Sequence, residues 1–284
     1  MQRILSTYRY ITQPLTPELL GGIASAGVPA VELFCTSEHF GYGSLPVVRE
    51  VSGALREHGL ALQSLHAPTE RGAGAARGTG VPISISDPER IRRVDAVDEV
   101  KRALEVAETI PFRYLIQHMA SSRQPADPRC LDAAFSSLEH LVLFAKQRGV
   151  TVAIENTPNE LGAPGALVRF IKETRLNDLR FCFDFGHAHI GEGVTAAFEF
   201  MRDRIVTAHV HDNHGEKDEH LLPFDGTIDW ESALALLASA PESPALVLEL
   251  KERAPGAPAL DQIRAVFDKL EEHFDNRNVN AART

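Results

Sequence analysis

Eight times along its length the chain passes from a short run of β-branched or aromatic residues to a longer segment of helical period. That rhythm restricts the fold more than any single motif does. Strands are predicted at Arg3–Thr7, Ala30–Phe34, Leu60–His66, Arg113–His118, Val150–Glu155, Leu179–Asp184, Ile205–His211 and Ala245–Glu249. The helices between them carry their own punctuation: Thr16-Pro17-Glu18 supplies a cap and a first-turn proline, Ser86-Asp87-Pro88-Glu89 and Asp127-Pro128 open two more, and Asp229-Trp230-Glu231 a fourth. The last helix is expected over Leu260–Phe274. A strand followed each time by a helix implies crossover connections and parallel strands. Eight such units in 284 residues predict an α/β chain folded as a single-domain (β/α)8 barrel over residues 1–275, with a frayed tail at 276–284. The alternative is an open doubly wound sheet. No Gly-x-Gly-x-x-Gly follows the first strand and no Walker motif occurs, so the usual grounds for the open sheet are missing.

Composition agrees with one enzyme-sized core. The hydrophobic content is 44%, and no Ser/Gly- or Pro-rich tract divides the chain; the glycine-dense stretch from Arg71 to Gly80 is too short to be a linker. No apolar run reaches spanning length, and the first residues lack a signal peptide's apolar core, so a soluble cytoplasmic protein with no membrane partner is expected. Cys35, Cys130 and Cys182 are odd in number and widely spaced, which predicts reduced thiols. The net charge of −10 disfavours a nonspecific nucleic-acid binder and fits a small-molecule enzyme; it leaves the oligomeric state, a homo-oligomer included, open.

The polar residues fall in a telling place. His66, His118, Glu155, Asp184, His209 and Glu249 each sit at or near the C-terminal end of a predicted strand, the catalytic face of a barrel. Parallel strands bring these ends together however distant they are in sequence, so three imidazoles and three carboxylates meet at one mouth. Carboxylates so close repel, and a divalent cation between them removes the conflict. The densest stretch, Thr207 to His220, adds more ligand types. His209 and His211 share a strand face, and Asp218 and His220 lie on the loop beyond, while His187 stands three residues past Asp184. Imidazole and carboxylate together suit Mn²⁺ or Zn²⁺, with Mg²⁺ or Co²⁺ as alternatives. Taken singly, each has a blander reading: Glu155 as a strand-end acid paired with arginine, any one histidine as a hydrogen-bonded loop residue. Glu32 reads equally as an orienter of a ligand or as a barrel-lining acid. Arg71 and Arg77 read as anion clamps or as solvated loop arginines, and His39, His214 and Trp230 as further substrate contacts.

Ser64-Leu65-His66-Ala67-Pro68, Ile154-Glu155-Asn156-Thr157, Phe183-Asp184-Phe185-Gly186-His187, His209-Val210-His211-Asp212-Asn213, Asp218-Glu219-His220 and Leu248-Glu249 together resemble the xylose-isomerase-like TIM-barrel superfamily over about residues 3 to 275. That group holds sugar isomerases and epimerases, inosose dehydratases and the endonuclease IV family. In its sugar epimerases the positions matching Glu155, Asp184, His209 and Glu249 hold one divalent ion, commonly Mn²⁺. The two glutamates also serve there as acid and base, and the position matching His187 binds substrate oxygens. The resemblance therefore implies a divalent-metal-dependent isomerase or epimerase acting on a sugar, sugar phosphate or polyol through an enediolate, with a keto-inositol or keto-sugar dehydratase as a close variant. His209 rather than His211 is the implied ligand, because Asp212 stands three residues beyond it as the family pattern has it. The endonuclease IV branch implies a second function, a zinc phosphodiesterase. Its nine ligands have counterparts in His66, His118 and Glu155; Glu155, Asp184, His209 and Glu249; and His187, Asp218 and His220. Against that branch, Ala67-Pro68-Thr69-Glu70 lacks the aromatic residue that enters DNA, and the loop from Cys35 to Gly43 lacks its DNA-facing arginine.

Overall fold

The computed structural model of the chain describes residues 2–121, 124, 127–251 and 260–281, the last seven of these for their backbone alone. Eight parallel strands close into a barrel: β1 (Arg3–Ser6), β2 (Ala30–Phe34), β3 (Ala61–His66), β4 (Tyr114–His118), β5 (Thr151–Glu155), β6 (Arg180–Asp184), β7 (Ile205–Val210) and β8 (Ala245–Leu248). Each strand pairs with its neighbours in sequence, and β8 pairs with β1. The chain is thus a (β/α)8 TIM barrel, as the alternation of strand and helix predicts.

The helices start where the sequence punctuates. α1 (Pro17–Ser25) is capped by Thr16, whose Oγ1 accepts from Leu19 N at 3.3 Å. α2 (Leu45–Glu57), α3 (Arg90–Glu105), α4 (Arg129–Lys146) and α5 (Pro164–Thr174) follow β2 to β5. After β6 come a short α6 (Phe185–Ile190) and then α7 (Val194–Met201). α8 (Trp230–Ala238) is capped by Asp229, which accepts from Ser232 N at 3.1 Å. α9 (Leu260–Ala281) runs past the predicted end at Phe274, so most of the segment expected to fray is helical; residues 282–284 lie outside the described residues. The sequence reading passes over α6, the 3-10 turn Thr7–Tyr10, and an antiparallel ribbon of Glu70–Arg71 with Val81–Pro82. Each is too short to complete a hydrophobic period.

Two packing layers separate what the strands face. Leu33, Leu65, Ile154, Phe183, Val210 and Leu248 look outward and join the helices in the main core, with Ile23, Val51, Leu138, Phe170, Phe198 and Phe267. The barrel interior holds smaller clusters: Ile116, Ala153, Cys182 and Val206 in one, Ile4, Ala30 and Val247 in the other. Side chains two apart along a strand share a face. Ala153 therefore carries Glu155 inward above it, and Cys182 carries Asp184, as Val247 does Glu249 beyond the strand. Two register irregularities tune this alternation. Between β2 and β3 the pairing passes from Val31↔Leu62 to Glu32↔Ser64, and between β6 and β7 from Phe181↔Ile205 to Cys182↔Thr207. Each skips one residue and so re-aims the side chains that follow. The three cysteines are buried and unpaired, and no helix among the described residues is long and apolar enough to cross a membrane.

Candidate metal centre

Register alone juxtaposes the strand-end residues. His118 lies beside Glu155, and Asp184 beside His209. His66, His118, Glu155, His187, Asp218, His220 and Glu249 line a cavity of about 1010 Å³ at the C-terminal mouth of the barrel. Asp184, His209 and His211 lie fully buried in the same group of side chains.

His209 decides the electrostatics. Its Nε2 is 3.1 Å from Glu32 Oε1, and Ser64 Oγ donates to Glu32 Oε2 at 2.7 Å. A carboxylate can only accept there, so Nε2 carries the proton and Nδ1 is left with its lone pair. Yet Nδ1 faces Glu155 Oε1 at 3.3 Å, Glu249 Oε2 at 3.4 Å and Asp184 Oδ2 at 3.7 Å. A lone pair turned toward three anions is repulsive, so the arrangement requires positive charge at that point. Without a metal the charge has to come from a proton. Burial opposes the imidazolium, but Cys182, Glu249, Glu32 and Glu155 around it hold its pKa well above the ordinary histidine value. Burial likewise opposes the Glu155 carboxylate, while His209, His118 and His187 hold its pKa well below the usual range.

The pattern repeats around the mouth. His66 Nδ1 donates to the Ala67 carbonyl at 2.9 Å and turns Nε2 to Glu155 Oε2 at 3.3 Å, an oxygen that His118 Nε2 also approaches at 3.1 Å. His220 Nδ1 donates to the Glu249 carbonyl at 3.1 Å and presents Nε2 to Asp218 Oδ2 at 2.9 Å. His187 Nδ1 donates to the Asn156 carbonyl at 2.9 Å, leaving Nε2 3.6 Å from Asp218 Oδ2. One imidazole nitrogen fixed by an oxygen while the other points into carboxylates is how proteins prepare histidines for cations. Glu155, Asp184, His209 and Glu249 each offer a donor atom within 4.8 Å of the others'. Three oxygens and one nitrogen fit a divalent ion. Among the described residues three further groups meet the same spacing: His66–His118–Glu155, His211–Asp218–His220 and Glu155–Cys182–His209, the last sharing Glu155 and His209 with the four-residue set.

Behind these groups stands a frame of hydrogen bonds. Asn156 Nδ2 donates to the Asp184 carbonyl at 2.9 Å, and its Oδ1 accepts from Asp184 N at 2.8 Å. Asp184 Oδ1 in turn accepts from His187 N at 2.6 Å and so starts α6. His211 Nε2 is 3.0 Å from Asp184 Oδ2, and a Cβ on Gly186 would come within 1.9 Å of the His211 ring. Glycine is what lets that imidazole reach the aspartate.

Residues 21–273 match the family described as xylose isomerase-like TIM barrel. The chain belongs to the xylose isomerase-like TIM-barrel family. Among solved structures it is similar to a D-tagatose 3-epimerase-like protein (TM-score 0.80, 21% identity, covering 98% of this chain and 99% of that one). It is similar also to an L-ribulose 3-epimerase (0.78, 13%, covering 99% and 97%) and to the IolI protein with a bound zinc atom (0.77, 14%, covering 97% and 99%). These likenesses concern the fold. Curated relatives include the uncharacterized Sinorhizobium fredii protein y4fM, 27% identical over 159 residues (52% of this chain, 50% of that protein), and the uncharacterized Methanocaldococcus jannaschii protein MJ1614, 31% identical over 146 (51% and 57%). The chain spans about half the length of the curated relatives it matches.

In this member of the xylose isomerase-like family, the loop from β7 to α8 is built around Asp212. That buried carboxylate accepts from Asn213 N (2.9 Å) and Ile228 N (3.1 Å) on one oxygen and from Phe224 N (3.0 Å) and Trp230 Nε1 (2.8 Å) on the other. Trp230 therefore supports the loop rather than touching substrate. His214 pairs with Glu219 in the exposed part of the loop, His39 Nδ1 donates to the Gln13 carbonyl at 2.6 Å, and Arg71 pairs with Asp95 at 3.2 Å; of the secondary candidates Arg77 alone lines the cavity. The sequence reading assigned no role to Asn156, Gly186 or Asp212. Their work is done mostly through partners distant in sequence, although all three sit inside motifs it singled out.

Two substitutions should separate this frame from its surroundings. Gly186→Ala drives a methyl into the His211 ring and is expected to lower stability by about 1–3 kcal/mol. Asp212→Ala leaves four N–H groups without their acceptor, and urea titration should show a loss of at least about 3 kcal/mol. A loss under 1 kcal/mol in Asp212→Ala would mean that water replaces the carboxylate and the hub assignment is wrong.

Proposed function

We propose that this chain is a divalent-metal-dependent sugar or polyol isomerase or epimerase that works through an enediolate, with Glu155 and Glu249 as acid and base. The observation that carries the reading is the convergence of Glu155, Asp184 and Glu249 on His209 Nδ1 at the floor of a cavity large enough for a small molecule. The names of several similar structures, sugar 3-epimerases among them, point the same way. Mn²⁺ or Zn²⁺ suits the one-nitrogen, three-oxygen donor set, and Glu155, Asp184, His209 and Glu249 would hold it. Its contribution is to stabilise the negative charge that grows on the substrate's oxygens as a proton leaves carbon.

The rest follows from the chain's own groups. Glu155 is held in its charged form by the imidazoles around it, which makes it the deprotonated member of the pair but a weak base, so its acceptance of a proton depends on the stabilisation of charge on the substrate's oxygens. Glu249, also buried and lining the cavity, returns it. His187, its Nδ1 tied to the Asn156 carbonyl, offers Nε2 to a substrate oxygen. Dehydration of a keto-inositol or keto-sugar starts with the same proton removal and belongs to the same reading.

One observation favours a second reading. Glu155 gives one oxygen to the His209 group and the other to His66 and His118, and a further donor group stands at His211–Asp218–His220. Three donor groups suit a zinc phosphodiesterase of the endonuclease IV kind. The net charge of −10 weighs against a DNA substrate.

Metal stoichiometry separates the two. One tightly held ion per chain is expected, and three zinc ions would favour the hydrolase. Asp184→Asn and His209→Ala should lose the ion, while Glu32→Gln, which weakens the acceptor behind His209, should lower affinity by about 10–100-fold. The chemistry itself is tested in deuterated water. Turnover of an accepted ketose should place deuterium on carbon beside the carbonyl, and Glu155→Gln or Glu249→Gln should abolish net conversion. Abasic-site cleavage by pure protein, lost in Glu155→Gln and unaccompanied by carbon exchange, would replace this reading with the second.

A further inference from the structure

His211 is fully buried, yet it belongs neither to the Glu155–Asp184–His209–Glu249 group nor to the lining of the cavity. Its side chain makes one hydrogen bond among the described residues. Nε2 stands 3.0 Å from Asp184 Oδ2, while Nδ1 has no partner. A carboxylate only accepts, so Nε2 carries the proton and donates it to Asp184. Asp218 Oδ1, at 3.9 Å from the same nitrogen, is too far to compete. Packing keeps the ring there: it stacks on His220 at 3.9 Å between centroids, with 21° between the planes, and it lies against Gly186, where a Cβ would come within 1.9 Å of it.

This contact completes the tethering of Asp184. Asn156 fixes the backbone of Asp184 at both its N–H and its carbonyl, which sets where the side chain starts. Oδ1 accepts from His187 N at 2.6 Å. Oδ2 accepts from His211 and faces His209 Nδ1 at 3.7 Å. Each carboxylate oxygen has two lone pairs, so with His187 N on one oxygen and His211 on the other the plane of the group is set. The second lone pair of Oδ2 is then left for the point on which Glu155, Glu249 and His209 converge. Without a donor on Oδ2 the carboxylate is free to turn, since the torsion that carries it has a broad minimum.

Resting on the metal-dependent reading of the floor, we propose that His211 is a positioning residue for the ion: its Nε2–H orients Asp184 so that Oδ2 is presented to the metal point, and Gly186 and His211 work as one unit. The ring reaches Asp184 only over a residue that has no Cβ. His211 thus acts on the ion through Asp184, from a place that neither ion nor substrate touches.

Mn²⁺ titration of the metal-free protein, followed by the paramagnetic resonance signal of the free ion, tests this in three variants. His211→Phe keeps a ring and removes the donor, and its affinity for Mn²⁺ is expected to fall about 10–100-fold. His211→Gln keeps an N–H donor and should recover most of that loss. Melting of the metal-free forms should differ little between these two, which a merely structural role would not predict. Gly186→Ala displaces the ring and should weaken Mn²⁺ binding as His211→Phe does, and combining the two should cost no more affinity than either alone. Unchanged affinity in His211→Phe, an equal loss in His211→Gln, or additive losses in the double variant would each overturn the proposal; if His211→Phe does not fold, unchanged affinity in Gly186→Ala does so. Failure of the metal-dependent reading looks different, because the parent protein itself would then bind no Mn²⁺, and both would fall together.

Discussion

The structure turns on one buried imidazole set between opposing anions. His209 has Glu32 on one nitrogen and Glu155, Asp184 and Glu249 on the other, with all five side chains removed from water. Buried charges of one sign are tolerated only where positive charge lies among them. The fold supplies that with a ring whose tautomer Glu32 fixes, and the donor set admits a divalent ion at the same point. Ser64 and the register step that places it opposite Glu32 belong to this constraint, since Ser64 holds the second oxygen of the carboxylate that aims the ring.

A closed parallel barrel is what makes such a concentration of charge buildable. No local segment could bring Glu32, Glu155, Asp184, His209 and Glu249 together, because more than two hundred residues separate the first from the last. Their strands are adjacent in space and point one way, and inward positions recur every second residue, so the ends coincide. The apolar interior beneath, Ile116, Ala153, Cys182 and Val206, lies below the charged layer within the barrel. Low polarity there strengthens every electrostatic interaction above it.

Much of this was legible in the sequence, for a physical reason. Strand and helix periods survive in single sequences when elements are long and caps are clear, and each predicted strand agrees with the observed one to within a residue or so at its ends. The site was legible because imidazoles and carboxylates at strand ends have no better structural explanation. Glu32 was ambiguous because its role depends on which side of β2 faces His209, a matter settled by the irregular pairing of β2 with β3. Asp212 was read merely as a marker beside His209, because its four donors come from its neighbour Asn213 and from residues twelve to eighteen positions further on. Tyr8, Ile11, Phe34 and Ala76, which form one wall of the cavity, were invisible as a group, because three separate segments contribute them and each residue reads locally as ordinary core.

The floor and the wall of the cavity constrain function in different ways. Glu155 has one oxygen in the His209 group and the other beside His66 and His118, so the floor alone is compatible with one ion or with several. A carboxylate shared in this way suits proton transfer at carbon as readily as it suits bridging two cations. On the proposed reading, the wall weighs toward a sugar. A phosphodiester backbone brings charge and hydration wherever it runs, and the surface of Tyr8, Ile11, Phe34 and Ala76 beside the acidic floor is a poor lodging for it, although Arg77 and Lys251 line the same cavity. A sugar ring has hydroxyls for the floor and C–H faces for aromatic rings, and Phe34 stacked on His66 stands at the junction of the two surfaces. On the proposed reading, the strand ends carry the chemistry, while the first 3-10 turn, the end of β2 and the glycine-dense segment shape the space beside them.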